Sequence, residues 1–216
     1  MNEYLKITNE CNLDLMARYE DNYFDLAIVD PPYGIDWMNQ VKNPNKGKNW
    51  KQYDNKEWDK NIPTQKYFDE LFRVSKNQII WGGNYMIEYL YSTPCIVIWD
   101  KMQEFSGATF EVAWTSFKSP SKAFRMSRVQ AYTHRNKIHP TQKPFELYQY
   151  LFSNYAEKGN KILDTHLGSG SIAVALDNVN KIEKMELELT ACELDKEYYK
   201  NAIKFIESET NWQSLF

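Results

Sequence analysis

The stretch that most constrains the fold runs from Asp25 to Gly34 and reads Asp-Leu-Ala-Ile-Val-Asp-Pro-Pro-Tyr-Gly. Its apolar part, Leu26 to Val29, is short and rich in branched side chains, which predicts a strand buried on both faces. Pro31 and Pro32 have no backbone N–H, so the strand must end before them. The stretch predicts a buried strand that carries a rigid loop, with a carboxylate and an aromatic ring, to one edge of a sheet. An ordinary turn after a strand is the alternative interpretation.

Strands and helices alternate along the rest of the chain. Strands are predicted at 4–8, 26–29, 78–81, 95–99, 110–114, 161–164 and 188–193, and helices at 12–19, 64–74, 84–91, 141–155, 171–178 and 196–208. This alternation predicts an α/β fold with a mainly parallel sheet covered on both faces. A length of 216 residues suits a single domain over 1–216. Residues 39–63 are predicted to form a long basic loop, and 118–137 an exposed loop or short hairpin.

Composition points to a soluble, cytoplasmic protein. No apolar stretch approaches the roughly 18–20 residues that a membrane span requires, and the first residues do not resemble a secretory signal. The cysteines are three in number, far apart and without CxxC spacing, which predicts reduced thiols: Cys11, Cys95 and Cys192. The histidines are not spaced for a metal, so no metal site is predicted: His134, His139 and His166.

Charge is segregated along the chain although the net charge is only −3. The segment from Lys118 to Lys143 contains seven basic residues and no acid, and 41–58 contains five lysines. Acidic residues collect after Glu183. Segregation of this kind predicts one basic surface that suits a polyanion such as nucleic acid. The alternative is that the basic segments only balance the acidic C-terminal region.

A second motif, Ile162 to Ser171, combines a strand, a glycine turn and the start of a helix. α/β sheets use this arrangement to hold nucleoside-bearing ligands, and Gly168 and Gly170 allow close approach of the backbone. The motif lacks the third glycine of a dinucleotide fingerprint and the Lys-Ser/Thr of a phosphate loop, so a polyphosphate is not favoured. Glu193 follows the next predicted strand, where a carboxylate accepts ribose hydroxyls. An exposed acid before a helix is the alternative for Glu193.

Three motifs together resemble those of the amino-group DNA methyltransferases. Asp30-Pro31-Pro32-Tyr33 resembles their catalytic motif, 164–170 their S-adenosylmethionine motif, and His139-Pro140-Thr141-Gln142-Lys143-Pro144 their cofactor-covering segment. The order of the motifs matches the circularly permuted β group, and the resemblance covers about 5–199. It implies a Rossmann-like methyltransferase fold with a doubly wound, mostly parallel sheet. One antiparallel strand is expected at 110–114, and the first strand is expected beside the last.

The resemblance implies a site-specific DNA methyltransferase, of the kind found in restriction-modification systems, that transfers a methyl group from S-adenosyl-L-methionine to N6 of a flipped adenine. Members of the group often pair, so a homodimer is a possible assembly. The implied catalytic residues are Asp30, Pro31, Pro32 and Tyr33. The implied cofactor-binding residues are Asp164, His166, Gly168, Ser169, Gly170, Glu193, Thr141, Lys143 and Glu10, with Thr141 and Lys143 over the methionine carboxylate and Glu10 near the adenine. The expected DNA contacts are Lys46, Lys48, Lys122, Arg125, Arg128 and Arg135.

The sequence departs from the family pattern in two places. Thr165-His166 stands where the family often has Pro-Phe, and only 117–138 is available as a target-recognition segment. Three alternatives differ in target or in activity. Cytosine N4 is the first, although Asp30 favours adenine because serine is commoner there in cytosine members. A catalytically silent DNA-binding protein with the same fold is the second. RNA or protein glutamine is the third, and it is disfavoured because those relatives commonly have Asn at that position.

Overall fold

The computed structural model describes residues 4–36, 59–103, 108–132 and 142–212. Its eight strands are β1 (Leu5–Thr8), β2 (Phe24–Val29), β3 (Ser75–Trp81), β4 (Ile96–Asp100), β5 (Phe110–Thr115), β6 (Lys122–Arg125), β7 (Lys161–Asp164) and β8 (Glu188–Cys192). Its α-helices are α1 (Asn12–Met16), α2 (Gln65–Val74), α3 (Arg128–Tyr132), α4 (Phe145–Tyr155), α5 (Ser171–Ile182) and α6 (Lys196–Trp212).

All eight strands form one sheet, in the order β1-β8-β7-β2-β3-β5-β4-β6. The β5 strand is antiparallel to both of its neighbours, and every other pairing is parallel. The first strand lies beside the last, with Leu5 opposite Leu189. The predictions of a mostly parallel sheet, of one antiparallel strand at 110–114 and of adjacent first and last strands are therefore confirmed.

The β2 strand is buried on both faces of the sheet, as its apolar run predicts. Leu26 and Ile28 belong to a core cluster that includes side chains of α4, α5 and α6. Ala27 and Val29 belong to a second cluster that includes side chains of α1 and α2. Helices therefore cover both faces, and the end of β2 is fixed from both sides. This rigidity sets the position of the Asp-Pro-Pro-Tyr loop.

Three local predictions are wrong, those for 84–91, 141–155 and 118–137. Residues 84–91 form two 3₁₀ turns, Gly83–Tyr85 and Ile87–Tyr89, because Met86 between them has a non-helical φ of −126°. The helix predicted at 141–155 begins at Phe145, since Pro144 is extended and disfavours helical backbone in the residue before it.

The stretch predicted as a loop or hairpin at 118–137 instead contains β6, which adds parallel to β4, and helix α3. The described part, 118–132, therefore contains one strand and one helix and no hairpin, and 133–137 lie outside the described residues. Most of the predicted loop at 39–63, namely 39–58, lies outside the described residues.

The order of the strands reverses between β7 and β2, which are neighbours. From β2 the sheet continues to β3 on one side, and from β7 it continues to β8 on the other. In open α/β sheets ligands bind at the carboxyl ends of the strands at such a switch point. The Asp-Pro-Pro-Tyr loop after β2 and the glycine turn after β7 both lie at this point.

Within the described residues, no helix has both the length and the hydropathy needed to cross a bilayer. The cysteines Cys11, Cys95 and Cys192 are all free thiols. The single domain over 1–216 and the cytoplasmic location stay predictions.

Candidate active site

A cavity of about 730 Å³ opens at the switch point. Eight of the predicted site residues line it: Glu10, Asp30, Pro32, Lys143, His166, Gly168, Ser169 and Glu193. The lining also includes Asp195 and Lys196, so it contains four carboxylates and two ammonium groups. Because acidic side chains outnumber basic ones, the cavity favours a ligand with cationic groups over a phosphate. Pro31, Tyr33, Asp164 and Gly170 do not line the cavity, but each is next in sequence to a residue that does.

The glycine turn orients Glu193 toward the cavity. Gly168 has a φ of 55°, and its N–H donates to Oε2 of Glu193 at 2.9 Å. The other oxygen, Oε1, accepts the N–H of Asp195 at 2.9 Å. Gly170 has a φ of 80°, and a Cβ there would lie 2.8 Å from Cδ1 of Ile206. The turn therefore brings bare backbone and one fixed carboxylate to the cavity wall.

Asp164, the last residue of β7, is buried behind this wall. Its Oδ1 accepts the N–H of His166 at 3.0 Å. Burial raises the pKa of the Asp164 carboxyl to about 8, although the hydrogen bond from His166 opposes this. The Asp164 carboxyl is therefore mostly protonated at neutral pH.

His166 is a neutral aromatic residue of the cavity wall. Burial lowers the pKa of its imidazole to about 4. Its ring packs edge-on against Tyr67, with centroids 5.3 Å apart, and its Nε2 lies 3.1 Å from Nδ2 of Asn12. An aromatic surface is thus present at this point of the cavity, although the sequence has histidine where the family often has phenylalanine.

The Asp30 carboxylate is held through both of its oxygens. The hydroxyl of Tyr33 donates to Oδ1 at 2.7 Å, and Nζ of Lys143 lies 2.6 Å from Oδ2. The N–H of Tyr33 donates to Oδ1 of Asp59 at 2.9 Å, which fixes the loop itself. Burial raises the pKa of the Tyr33 hydroxyl well above its ordinary value, so that hydroxyl remains a donor. The loop therefore presents one oriented carboxylate to the cavity.

The ring of Tyr33 lies between the main chain after β3 and another tyrosine. It stacks on Tyr85, with centroids 5.2 Å apart and an angle of 15° between planes. Gly82, with a φ of 68°, allows the chain to pass close to the ring, because a Cβ there would lie 2.1 Å from Cε1 of Tyr33. Only glycine leaves room for this arrangement.

We expect Gly82→Ala to destabilise the protein by about 2–4 kcal/mol, because it combines a left-handed backbone with a collision against Tyr33. Gly159→Ala is the matched control. Gly159 has a φ of 80°, but a Cβ there would meet nothing within 4 Å, so the substitution should cost only about 1–2 kcal/mol. Urea unfolding of both variants measures the difference. Equal losses of unfolding free energy would show that contact with Tyr33 adds nothing to the cost of alanine at Gly82.

The structure gives Lys143 other partners than the predicted methionine carboxylate. Besides Asp30, its Nζ lies 3.1 Å from Oε2 of Glu111, whose other oxygen lies 2.7 Å from Nζ of Lys101. Glu111 and Lys101 were not predicted as site residues. A signal was present, since Glu111 is an acid between Phe110 and Val112 in a strand.

Glu10 lines the cavity and is paired with Arg18. Both of its oxygens accept from the guanidinium, at 2.6 and 2.7 Å. These hydrogen bonds lower the pKa of the Glu10 carboxyl, so it is ionised at neutral pH.

Three of the predicted DNA contacts lie in the described part of the chain: Lys122 and Arg125 on β6, and Arg128 in α3. Arg125 ends β6 at the same sheet edge as the cavity, and its Nε lies 3.4 Å from Oδ2 of Asp100. The other three predicted DNA contacts, Lys46, Lys48 and Arg135, lie outside the described residues, as does the predicted cofactor contact Thr141. Among the residues that are described, no cluster of three metal-ligating side chains occurs. The prediction that no metal takes part stays a prediction.

The chain is similar to known DNA methylases in sequence and in fold. A sequence-family model described as DNA methylase, of the N6/N4 type, matches 98–204, just under half of the chain. The type II methyltransferase M2.MboI of Moraxella bovis is 24% identical over 91% of this chain and 88% of its own length. The crystal structure of an M1.HpyAVI–SAM complex has a TM-score of 0.59 at 15% identity and covers 94% of this chain and 98% of its own. The cytosine-N4-specific PvuII DNA methyltransferase has a TM-score of 0.54 at 13% identity and covers 96% of this chain and 93% of its own.

Proposed function

We propose that this relative of the amino-group DNA methyltransferases transfers a methyl group from S-adenosyl-L-methionine to the N6 amine of an adenine in DNA. The observation that carries the proposal is the position of Asp30. Its oriented carboxylate lines the same cavity as the glycine turn and Glu193. An acceptor for an amine and a wall suited to a nucleoside thus meet at one switch point.

The residues of the cavity fit this cofactor. The acidic lining suits its ammonium and sulfonium charges, and Glu193 presents a carboxylate for the ribose hydroxyls. Backbone at Gly168 can approach the methionine part. We assign the adenine to the part of the cavity that Glu10 lines. When bound, S-adenosylmethionine supplies an electrophilic methyl carbon on a positively charged sulfur.

Asp30 and the Pro31 carbonyl activate the amine in this proposal. The lone pair of an exocyclic amine is delocalised into its ring, so accepting both amine hydrogens helps to direct the lone pair at the methyl carbon. The nitrogen–carbon bond forms as the sulfur–carbon bond breaks, and sulfur keeps the electron pair as a neutral thioether. The methylated nitrogen then loses one proton through Asp30 to water. Consecutive prolines hold both acceptors at a fixed separation.

Tyr33 provides an aromatic face for the target base. A base must leave the duplex to reach the cavity, and flipped bases stack on aromatic side chains. The half-exposed ring of Tyr85 stacks on Tyr33. We assign that stacking position to the base, which replaces Tyr85 on binding.

Arg125 should contribute to DNA affinity through phosphate. Arg125→Ala is expected to weaken DNA binding and to reduce the slope of log K against log salt by about 0.9, the value for one phosphate contact. Lys158→Ala is the control, because Lys158 is an exposed basic residue that also pairs with an acid, Glu186 at 2.7 Å, but lies before β7 at the opposite edge. Fluorescence anisotropy at several salt concentrations measures both slopes. The same slope for both variants would remove Arg125 from the DNA surface.

The test of function is methyl transfer followed by analysis of the product. The protein is incubated with DNA and isotopically labelled S-adenosylmethionine, and the DNA is digested to nucleosides and separated by mass. Labelled N6-methyl-2′-deoxyadenosine is the expected product. Labelled N4-methyl-2′-deoxycytidine would support the cytosine-N4 alternative. Cofactor binding without transfer to any DNA would support the silent DNA-binding protein.

A further inference from the structure

Four charged side chains form a continuous chain beneath the Asp30 loop. Lys143 Nζ lies 2.6 Å from Asp30 and 3.1 Å from Glu111, and Glu111 lies 2.7 Å from Lys101. The side chain of Lys143 is only 2% exposed, and that of Lys101 only 10%. Charges alternate in sign along the chain, so each interior group has an opposite charge on both sides.

We infer that Lys143 and Glu111 are positioning residues for Asp30, with Lys143 holding the carboxylate ionised and oriented and Glu111 holding Lys143 in place. The inference rests on the proposed function, because it assigns a purpose to Asp30. It differs from the role that the sequence suggested for Lys143, which was a contact to the methionine carboxylate of the cofactor.

The contacts of Lys143 support this assignment. Its ammonium has three hydrogens, and three acceptor atoms lie close to it: Oδ2 of Asp30, Oε2 of Glu111, and the hydroxyl oxygen of Tyr33 at 3.3 Å. The carboxylate of a ligand would have to displace one of these. Since Pro144 is extended and helix α4 begins only at Phe145, Lys143 lies outside the helix and its side chain reaches the loop.

Burial and the neighbouring charges act in opposite directions on the pKa of Asp30, Glu111 and Lys143. Burial raises the pKa of the Asp30 carboxyl, and the Lys143 ammonium opposes that rise. Burial by itself would also raise the pKa of Glu111, but Lys143 and Lys101 outweigh it and bring this pKa to about 2. Burial would lower the pKa of Lys143, yet Asp30 and Glu111 outweigh it and raise this pKa. Lys143 therefore stays charged while Asp30 acts as an acceptor.

Other titratable groups act on Asp30 from neighbouring elements. Tyr132, Tyr148 and Asp164 each interact with its charge. Both tyrosines have pKa values above their ordinary value and remain neutral across the working range. Asp164, with a pKa of about 8, titrates within that range, so a measurement must separate it from Asp30.

The test compares Lys143→Met, Lys143→Arg and Glu111→Gln, with Lys76→Met as the control. Lys76 pairs with Asp25 at 2.7 Å at the opposite end of β2 and β3, so its variant removes a similar ion pair far from the cavity. Single-turnover methyl transfer is measured from pH 5.5 to 9. The Asp30 carboxyl is titrated by carbon NMR, with the signal assigned from its loss in Asp30→Asn.

The expected shifts have opposite signs. Without Lys143, ionised Asp30 loses its counter-charge, so the midpoint of Asp30 and of the rate should move up by about 1–3 pH units in Lys143→Met. Glu111→Gln removes a negative charge that repels ionised Asp30, so the titration midpoint of Asp30 should move down. The rate plateau should fall in the same variant, because Lys143 is held less firmly. Lys143→Arg should keep its midpoint near that of the wild type, and Lys76→Met should change neither quantity.

Two results would overturn the inference. One is an unmoved Asp30 midpoint in Lys143→Met together with loss of S-adenosylmethionine binding, which would return Lys143 to the cofactor. The other is an unchanged rate plateau in Glu111→Gln, because loss of a residue that holds Lys143 in place must slow methyl transfer. If Lys143→Met does not fold, Glu111→Gln and Lys143→Arg carry the comparison. The NMR titration needs no turnover, so an inactive wild type would refute the proposed function and still test the pairing.

Discussion

Asp30→Ala is expected to lower the rate of methyl transfer by about 10²–10⁴-fold while changing the affinity for S-adenosylmethionine by less than about threefold. In the proposed reaction the carboxylate is an acceptor that the amine needs in the transition state, and a group of that kind contributes about this factor. We assign the cofactor to another part of the cavity wall, at the glycine turn and Glu193. A change in rate without a change in cofactor affinity is the signature of an interaction made only in the transition state.

Asp30→Asn provides the matched comparison, since it keeps the size of the side chain and loses the charge. Single-turnover rates with labelled cofactor and calorimetric binding measure the two quantities separately. Both variants leave Lys143 without one of its two carboxylates. Urea unfolding should therefore be measured as well, to check that each variant is stably folded. A stable Asp30→Ala protein with wild-type activity would remove Asp30 from the reaction.

Glu193→Ala should have the second large effect, a loss of about 10–150-fold in affinity for S-adenosylmethionine. A hydrogen bond to a charged group contributes about 1.5–3 kcal/mol, which corresponds to this factor. The variant also removes the acceptor of the Gly168 N–H, so the turn loses its link to the end of β8. Glu193→Gln keeps one acceptor oxygen and should lose less.

Glu188→Gln serves as the control for this experiment. Glu188 begins the same strand that Glu193 follows, so it lies at the opposite edge of the sheet, where it pairs with Lys6 at 3.7 Å. Isothermal titration with S-adenosylmethionine and with its demethylated product should show the loss for both ligands, because both have the same ribose. Equal affinities in Glu193→Ala and Glu188→Gln would exclude a contact between Glu193 and the cofactor.

The parts of the fold that could be predicted are those in which local sequence and tertiary packing agree. The run before Asp30 is apolar at every position and ends in prolines, so the end of β2 follows from the chain itself. The same holds for β7, which is bounded by Lys161 and Asp164 as predicted. Strand β5 was also found, together with its direction, although the direction came from the family resemblance and not from its residues.

What could not be predicted depends on contacts between distant segments. Nothing near Lys143 in the sequence indicates that its ammonium meets Asp30, which is more than a hundred positions earlier, and Glu111 in β5. Strand β6 has only four residues, with alternating half-buried and exposed positions, and it forms because the free edge of β4 is available. The apolar and aromatic residues at 84–91 suggest a helix, but the chain forms two 3₁₀ turns there, separated by Met86 with its non-helical φ.

The pairing of the first strand with the last determines when the cavity is completed during synthesis. Leu5 lies opposite Leu189, and the N–H of Glu193 donates to the carbonyl of Thr8 at 3.1 Å. At translation rates of about 5–20 residues per second, β1 waits on the order of 10–40 s before its partner exists. Contacts so distant in sequence also form slowly, because loop closure precedes them. The carboxylate that we assign to the ribose is therefore fixed late, and a nascent chain that already has its Asp-Pro-Pro-Tyr loop does not yet have a complete cofactor cavity.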